Sequence, residues 1–175
     1  CLKLARDRIG EKPLYYGFSG TPSNKTFLFG SELSALRKWK EFNNSINPIA
    51  LAQLLNYQVI SAPNSIFKGI FQLQPGHILT LKCPKVDYLS ESKPWWDLKT
   101  TVERSLANPV LKSDDAITLI ENTLKDSIKN QSIADVPLGT FLSGGIDSSL
   151  ITALLQTQTN LKVKTFTIGF EESNF

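Results

Sequence analysis

The last third of the chain alternates between strand and helix patterns in a way that allows few folds. Residues 136–142 are typical of a short buried strand, residues 147–156 of a helix, and residues 163–170 of a second strand. Two consecutive parallel strands need a crossover of this kind, usually a helix. The sequence therefore predicts a βαβ unit with a parallel sheet and a right-handed crossover.

A polar loop that contains two glycines connects the first of these strands to the helix. Its sequence is Ser143-Gly144-Gly145-Ile146-Asp147-Ser148-Ser149. A parallel strand ends at the sheet edge where ligands bind, and the following helix presents unpaired N–H groups and the positive end of its dipole. The glycines let the backbone approach a phosphate, and the three serines supply hydroxyl donors. The loop therefore predicts phosphate binding, with simple helix capping as the alternative.

Asp147 is the one acidic residue of this loop, and a carboxylate beside phosphate groups needs an explanation. It could accept N–H bonds as a helix cap, or it could share a Mg²⁺ ion with the phosphates. We expect a mixture of both. Because the loop lacks lysine and the Gly-Lys-Ser/Thr ending of a Walker A sequence, its phosphate chemistry must be of another kind.

The N-terminal half consists mostly of strand patterns with short turns. Aromatic-rich runs at residues 13–18 and 26–30 flank a turn-like segment at residues 19–24, which predicts an antiparallel hairpin. Two further strands are predicted around residues 67–73 and 77–82, with a Gln-Pro-Gly turn between them.

Helices accompany these strands. Asn47 and Pro48 supply an N-cap and a first-turn proline for a helix that continues to about Tyr57. The apolar face of this helix is formed by Leu51, Leu54 and Leu55. The first half is therefore expected to be an α+β structure of strands packed with helices.

Regular periodicity fades between Pro84 and Pro109, which predicts a domain boundary. We expect a first domain at residues 1–90, a linker at residues 91–112 and a second domain at residues 113–175. The second domain opens on a helix capped by Ser113-Asp114-Asp115, with one buried stripe. That stripe consists of Ile117, Ile120, Leu124 and Ile128.

Composition argues against two classes of function. Lys and Arg number 19 against 16 Asp and Glu, and no basic run occurs, so no nucleic-acid partner is expected. Hydrophobic residues make up 41% of the chain, but the apolar runs fall far short of a membrane span. The two cysteines, Cys1 and Cys83, form neither a metal-ligand pattern nor a disulfide framework, which fits a reducing, cytoplasmic compartment.

The loop resembles the PP-loop of the ATP pyrophosphatases, which split ATP into AMP and pyrophosphate to adenylate a substrate. The longer stretch at residues 135–149 is similar to the form found in asparagine synthetases. In the first half, Ala5-Arg6-Asp7-Arg8-Ile9-Gly10-Glu11-Lys12-Pro13-Leu14-Tyr15-Tyr16-Gly17 and residues 29–36 resemble the later part of their class II glutaminase domain. Gln74-Pro75-Gly76-His77 and Trp95-Trp96-Asp97 extend the resemblance over nearly the whole chain.

The resemblance implies part of an Ntn-type glutaminase sandwich, followed by the first βαβ unit of a parallel-sheet ATP-pyrophosphatase domain. The complete enzyme would use glutamine, aspartate and ATP, and would release asparagine from an aspartyl-adenylate. Carried over by position, Ser143, Gly144, Gly145, Asp147 and Ser148, with Ser149 beside them, would bind the pyrophosphate part of ATP. Leu142 and Ile168 would flank the adenine, and Asp147 would contact Mg²⁺. A homodimer is the assembly to test.

A class II glutaminase uses an N-terminal cysteine whose own α-amino group acts as the base. Cys1 is not expected to be this nucleophile, because in the family a glycine follows that cysteine and the Arg-Asp-Arg stretch lies much further along the chain, whereas here Leu2 follows Cys1. We therefore expect a fragment that begins within one domain and stops within another. This fragment alone should have no glutaminase activity and should bind ATP poorly.

The remaining candidates have structural interpretations. His77 follows a Pro-Gly turn, and Cys83 is expected at a buried strand end. Arg6, Asp7 and Arg8 predict an ion-pair cluster. The pairs Tyr15-Tyr16 and Trp95-Trp96 favour a core or an interface over a ligand platform.

Three hypotheses for function remain open at this point. The first is an asparagine synthetase, or a related amidotransferase that adenylates another carboxylate. The second is a PP-loop ligase without a working glutaminase, similar to β-lactam synthetase. The third is a non-catalytic module that retains the fold.

Overall fold

A computed structural model of the chain describes residues 1–21, 23–82 and 92–169. The chain forms two compact units, residues 1–107 and residues 108–175. Within the described residues, the first unit contains β1 (Leu2–Ala5), β2 (Tyr15–Thr21), β3 (Asn24–Gly30), α1 (Leu33–Leu36), α2 (Pro48–Tyr57), β4 (Ile70–Gln72), β5 (His77–Leu81), β6 (Lys93–Pro94) and α3 (Leu98–Ala107). The second unit contains α4 (Ser113–Gln131), β7 (Gly139–Phe141), α5 (Ile146–Gln156) and β8 (Lys164–Phe166).

The first unit contains two antiparallel sheets, in the orders β3-β2-β4 and β1-β5-β6. Strands β2 and β3 form the predicted hairpin, but pairing continues to Thr21 and Asn24, so the expected loop at residues 19–24 is too long. Phe18 and Phe27 pack edge to face across the two strands with ring centroids 5.2 Å apart. Such cross-strand aromatic pairs stabilise a hairpin, which helps to extend it.

Both sheets contribute to one hydrophobic core. Tyr16 on β2 packs in the same buried cluster as Leu4 on β1 and Leu79 on β5. Burial also raises the pKa of the Tyr16 hydroxyl. A second buried cluster, formed by Leu36, Phe42, Phe67 and Ile70, lies beside helix α1. The two sheets are thus held together by alternating inward-facing residues, as packed sheets generally are.

The turn between β4 and β5 is present as predicted, but the two strands do not pair with each other. Strand β4 pairs with β2, whereas β5 pairs with β1. The turn therefore carries the chain from one sheet to the other. Gly76 has a φ of +66°, a conformation that favours glycine.

Helix α2 has the predicted bounds and cap, since the Asn47 side chain accepts a hydrogen bond of 3.1 Å from the Ile49 amide. Its apolar face is not buried within the described residues: Leu51, Leu54 and Leu55 are exposed. The buried position of α2 is Ala50.

Residues 92–109 contain more regular structure than their sequence indicates. Strand β6 pairs with β5, and helix α3 follows it. The Asp97 carboxylate precedes α3 and accepts a 2.7 Å hydrogen bond from the Thr100 amide, which is N-cap geometry. The cap explains why a helix forms in a segment that has no buried residue of its own.

Removing this cap should weaken α3 in a pH-dependent way. Hydrogen bonds from the Thr100 amide and hydroxyl lower the pKa of Asp97, because they favour the charged carboxylate. Their stabilising effect is therefore present above the ordinary aspartate pKa and is lost as the pH falls through the lowered folded-state value. We expect Asp97→Ala to speed hydrogen exchange of the Thr100 amide at neutral pH. Asp97→Asn, which keeps an N-cap side chain, should change it much less, and equal exchange in both variants would contradict the cap.

In the second unit, β7 and β8 are parallel and are joined through α5, as the sequence predicts. The strand at residues 136–142 is not buried, however: Val136 and Phe141 are 71% and 79% exposed. The reason is that the described sheet of this unit has only two strands, so little covers its faces. The described core of the unit is Ile128, Leu154 and Leu155.

Helix α4 also differs from expectation in two respects. Its N-cap is Lys112, so Ser113 lies inside the first turn and caps nothing. Of the predicted buried stripe, Ile128 is buried, whereas Ile117 and Ile120 are exposed. Leu124 packs against the Ile128 cluster. The stripe is therefore buried only toward the end of the helix, where α4 meets α5.

No helix in the described part of the chain is long and apolar enough to cross a membrane. The expectation for Cys83 and the predicted strand end at Phe170 lie outside the described residues.

Candidate functional site

The loop at residues 143–149 lies where the sequence predicts it, after the carboxyl end of β7 and before α5. The Leu142 amide donates a 2.9 Å hydrogen bond to the Phe166 carbonyl at the end of β8. Gly145 is the N-cap of α5, so the amides of the first turn have no earlier helical carbonyl to pair with. The loop therefore presents backbone donors and the positive end of a helix at a parallel sheet edge.

The two glycines have different conformations. Gly144 has a φ of +83°, and no atom lies within 4 Å of the position that a Cβ would occupy. Gly145 has an ordinary φ of −77°, and its nearest atom to an added Cβ is the Ser143 hydroxyl at 3.6 Å. Gly144 is thus required by the backbone conformation, and both residues leave open space in which a ligand could approach the main chain.

The serine hydroxyls shape the loop as well as offering donors. Ser148 Oγ accepts from the Ser143 amide at 3.3 Å and donates to the Gly145 carbonyl at 3.1 Å. Ser149 Oγ donates to the same carbonyl at 2.8 Å. These bonds hold the two ends of the loop together across the turn.

Asp147 is exposed in the first turn of α5, and no hydrogen bond to its carboxylate is present among the described residues. The cap half of the expected dual role is therefore wrong. Gly145 occupies the N-cap position instead, and it has no side chain. The described residues contain no group of three or more His, Cys, Asp or Glu that could hold a metal. A lone carboxylate still fits Mg²⁺, which commonly binds one or two carboxylates together with substrate phosphates.

Leu142 and Ile168 lie just beyond the ends of the two neighbouring strands. Thr167, between Phe166 and Ile168, donates from Oγ1 to the Leu142 carbonyl at 2.7 Å. This side chain ties the end of β8 to the residue that begins the loop. Thr167 was not predicted from the sequence, where its one signal is its position next to the predicted ligand residue Ile168.

Two further threonines form a contact between α5 and β7. Thr152 Oγ1 on α5 lies 3.0 Å from Thr140 Oγ1 on β7, and it donates to the Ser148 carbonyl at 2.8 Å. Because the contact between these threonines is partly buried, it joins the middle of α5 to the strand that precedes the loop.

If the loop binds a nucleotide, as the sequence predicts, replacing Thr167 should weaken that binding without unfolding the protein. Thr167→Val keeps the shape but removes the hydroxyl, so we expect the Kd for ATP in the full-length protein to rise about 3-fold to 10-fold. Thr167→Ser should restore binding. Thr165→Val is the matched control, since Thr165 lies on β8, two residues before Thr167, and its hydroxyl makes no hydrogen bond within the described residues. Equal ATP affinity in the Thr167→Val and Thr165→Val variants would contradict the role of the bond.

The other sequence candidates have structural roles in the described residues. Cys1 is exposed and free, next to the start of β1. The His77 ring nitrogen Nδ1 lies 2.7 Å from the Pro75 carbonyl and belongs to the turn. Neither residue is part of the loop at 143–149.

Arg6 and Asp7 do not form the expected ion-pair cluster. The buried Arg6 guanidinium donates to the carbonyls of Leu73, Gly10 and Lys12. Asp7 accepts from the amides of residues 10–12. Slight burial would raise the pKa of Asp7, but these amide hydrogen bonds outweigh it, and the pKa is lowered. Backbone groups, and not opposite charges, are thus the partners of both residues.

Comparisons with known proteins agree with the two-unit fold. Residues 1–96 match the family model "Glutamine amidotransferase domain", and residues 119–175 match the model "Asparagine synthase". The first match covers more than half of the chain, which places the protein in the glutamine amidotransferase class.

Similar proteins indicate a particular family within this class. An asparagine synthetase [glutamine-hydrolyzing] 3 of Bacillus subtilis is 29% identical over 99% of this chain and 27% of its own length. A putative asparagine synthetase [glutamine-hydrolyzing] 2 of Methanocaldococcus jannaschii is 33% identical over 95% of this chain and 31% of its own length. The chain belongs to the family of glutamine-hydrolysing asparagine synthetases.

Proteins with another name also match. The amidase chyE of Penicillium rubens is 28% identical over 99% of this chain and 26% of its own length. The chain spans about a quarter to a third of the length of these relatives.

Proposed function

We propose that this chain is part of an ATP-dependent asparagine synthetase. The reaction converts aspartate, glutamine and ATP to asparagine, glutamate, AMP and pyrophosphate through an aspartyl-adenylate. The observation that carries the proposal is the loop at residues 143–149, which offers backbone amides and open space at the end of a parallel strand. The match of residues 119–175 to the asparagine synthase family supports it independently.

Different residues of the loop would have different roles in binding ATP. Backbone amides after Ser143 and Gly144 would bind the pyrophosphate part, helped by the positive end of α5. Ser148 and Ser149 would keep the loop in shape through the Gly145 carbonyl. Asp147 would hold a Mg²⁺ ion shared with the phosphates, which offsets the repulsion between like charges. Leu142 and Ile168 would contact the adenine.

The first unit would then belong to the glutaminase part of the enzyme. Its two antiparallel sheets with a shared core are compatible with part of an Ntn-type sandwich. The proposed domain limits stay at residues 1–90 and 113–175, joined by a linker at 91–112. A cytoplasmic location and a homodimer complete the proposal.

Product analysis of the full-length protein tests the proposal. Incubation with ATP, Mg²⁺, aspartate and glutamine should release AMP and pyrophosphate, and release should stop when either aspartate or Mg²⁺ is left out. Asp147→Asn should lower the rate and raise the Mg²⁺ concentration that is needed. Release of ADP and phosphate, or turnover that is independent of aspartate, would overturn the assignment.

A second candidate is a ligase of the same chemistry that acts on another carboxylate. The similarity to a protein with a different name, amidase chyE, is the reason to consider this second candidate. Pyrophosphate release that depends on a different carboxylic acid, with none on aspartate, would select this candidate. No nucleotide turnover with any acid would instead favour a non-catalytic module.

A further inference from the structure

Two adjacent cavities of the first unit lie outside the loop at residues 143–149. The larger, about 480 Å³, and the smaller, about 270 Å³, share Arg8, Trp96 and Asp97 in their walls. We call this the Arg8 cleft. The larger cavity alone is within the usual size range of small-molecule sites, about 300–1,000 Å³.

The aromatic wall of the Arg8 cleft is held in place by the backbone. The Gly76 carbonyl accepts hydrogen bonds from the amides of Trp95 and Trp96, at 2.8 and 3.2 Å. The indole Nε1 of Trp95 donates to the Arg6 carbonyl at 3.1 Å. A Cβ on Gly76 would lie 2.4 Å from the Trp96 carbonyl oxygen, so only glycine allows this approach. The Trp95 indole and the Trp96 backbone are therefore held in place before any ligand arrives.

Arg8 lies over this wall with its donors unused. Its guanidinium carbon is 5.9 Å from the centre of the Trp95 ring. No hydrogen bond or ion pair of Arg8 is present in residues 1–21, 23–82 and 92–169. A guanidinium stacked on an aromatic face presents a planar set of N–H donors that matches a carboxylate.

Asp97 supplies the opposite charge. Hydrogen bonds from the Thr100 amide and hydroxyl lower the pKa of Asp97. A carboxylate with one oxygen bound to the Thr100 amide still has capacity for another donor. Arg8 and Asp97 line both cavities but form no ion pair with each other. Arg104 adds a second cation to the wall of the larger cavity.

We propose that the Arg8 cleft binds a free α-amino acid. The ligand carboxylate pairs with the Arg8 guanidinium, its ammonium group faces Asp97, and its side chain packs on Trp96 and Pro94. Two opposite charges line one cavity without pairing with each other. A zwitterionic ligand would pair with both of them. This site belongs to the first unit and does not depend on ATP binding at residues 143–149.

Calorimetry on the full-length protein tests the site with the standard L-amino acids in the absence of ATP. At least one of them should bind, and its N-acetyl and α-amide derivatives, which lack one charge each, should bind more weakly. Arg8→Gln should raise the Kd by about 10-fold or more, and Asp97→Asn, which keeps the N-cap, should also raise it.

Arg37→Gln is the matched control. Arg37 lies 5.6 Å from the ring centre of Phe67 in the same way, but its Nε donates to Asn44 and it lines neither cavity. This variant should bind as the unaltered protein does. Arg8→Gln must keep the melting temperature of the unaltered protein, and Arg8→Lys offers a second test with the charge retained.

Three results would overturn the proposal. The first is that no amino acid binds, and the second is that Arg8→Gln and Asp97→Asn leave every observed affinity unchanged. The third is that the uncharged derivatives bind as well as the zwitterion. Failure of ATP-dependent synthesis would leave this proposal standing, because its measurement contains no nucleotide.

Discussion

Replacing Gly144 with valine is expected to lower ATP-dependent turnover of the full-length protein by about 10-fold to 100-fold. Gly144 has a φ of +83°, which a β-branched residue adopts only with strain. The space around its missing Cβ is open in the protein alone, so the expected cost comes from the backbone and, under the proposed function, from lost room for a phosphate. The measurement is pyrophosphate release as a function of ATP concentration.

Gly145→Ala and Gly169→Ala separate these two causes. Gly145 has an ordinary φ, and its Cβ would meet only the Ser143 hydroxyl at 3.6 Å, so the empty loop should tolerate alanine. Loss of ATP affinity in this variant would indicate that a ligand needs the space. Gly169→Ala, which also has an open Cβ position, should leave turnover unchanged. If Gly144→Val bound ATP as tightly as the unaltered protein, the loop could not be the phosphate site.

The second large effect is expected on stability, at Arg6. This side chain is 8% exposed and donates to the carbonyls of Leu73, Gly10 and Lys12 at 2.6, 2.7 and 3.1 Å. Arg6→Met fills similar space but leaves these acceptors without their donors. We expect a loss of about 3 kcal/mol in the free energy of unfolding, measured by denaturant titration.

Arg8→Met controls for the loss of a positive charge two residues away. Arg8 is exposed and donates no hydrogen bond within the described residues, and its guanidinium lies over the Trp95 ring. Its replacement should therefore lower the free energy of unfolding by about 1 kcal/mol or less. Arg6→Lys should remain destabilised, because an ammonium group cannot reproduce the planar guanidinium geometry. Equal stability of the Arg6→Met and Arg8→Met variants would show that the three hydrogen bonds contribute little.

Local patterns predicted most of the elements that position the site. The order of strand, loop, helix and strand around residues 143–149 follows from composition and spacing, since glycines and hydroxyl residues favour turns and caps in any context. The same is true of the Asn47 cap and of the hairpin that joins β2 to β3. These features depend on contacts between near neighbours, which a sequence contains.

Other features needed long-range information. Helix α3 was missed because its cap, Asp97, is a single residue in a segment without apolar periodicity. The side-chain cap predicted at Ser113 was wrong because the chain enters α4 one residue earlier, at Lys112, whereas Asp114 and Asp115 do lie in the first turn. An ion-pair cluster was predicted from the alternation of charges at residues 6–8, but Arg6 reaches a carbonyl 67 residues away. No local pattern reveals such a partner.

The sequence by itself determined the order of strand, loop, helix and strand around residues 143–149, the bounds of α2 and the pairing of β2 with β3. It also predicts which loop can approach a phosphate. Tertiary structure decided that β4 and β5 separate into different sheets, that Thr167 holds the Leu142 carbonyl, and that Arg8 and Asp97 line the same cavities. The physical reason is one of distance along the chain. Backbone preference and capping act within a few residues. Packing and side-chain hydrogen bonds, in contrast, also join segments that are far apart in the sequence.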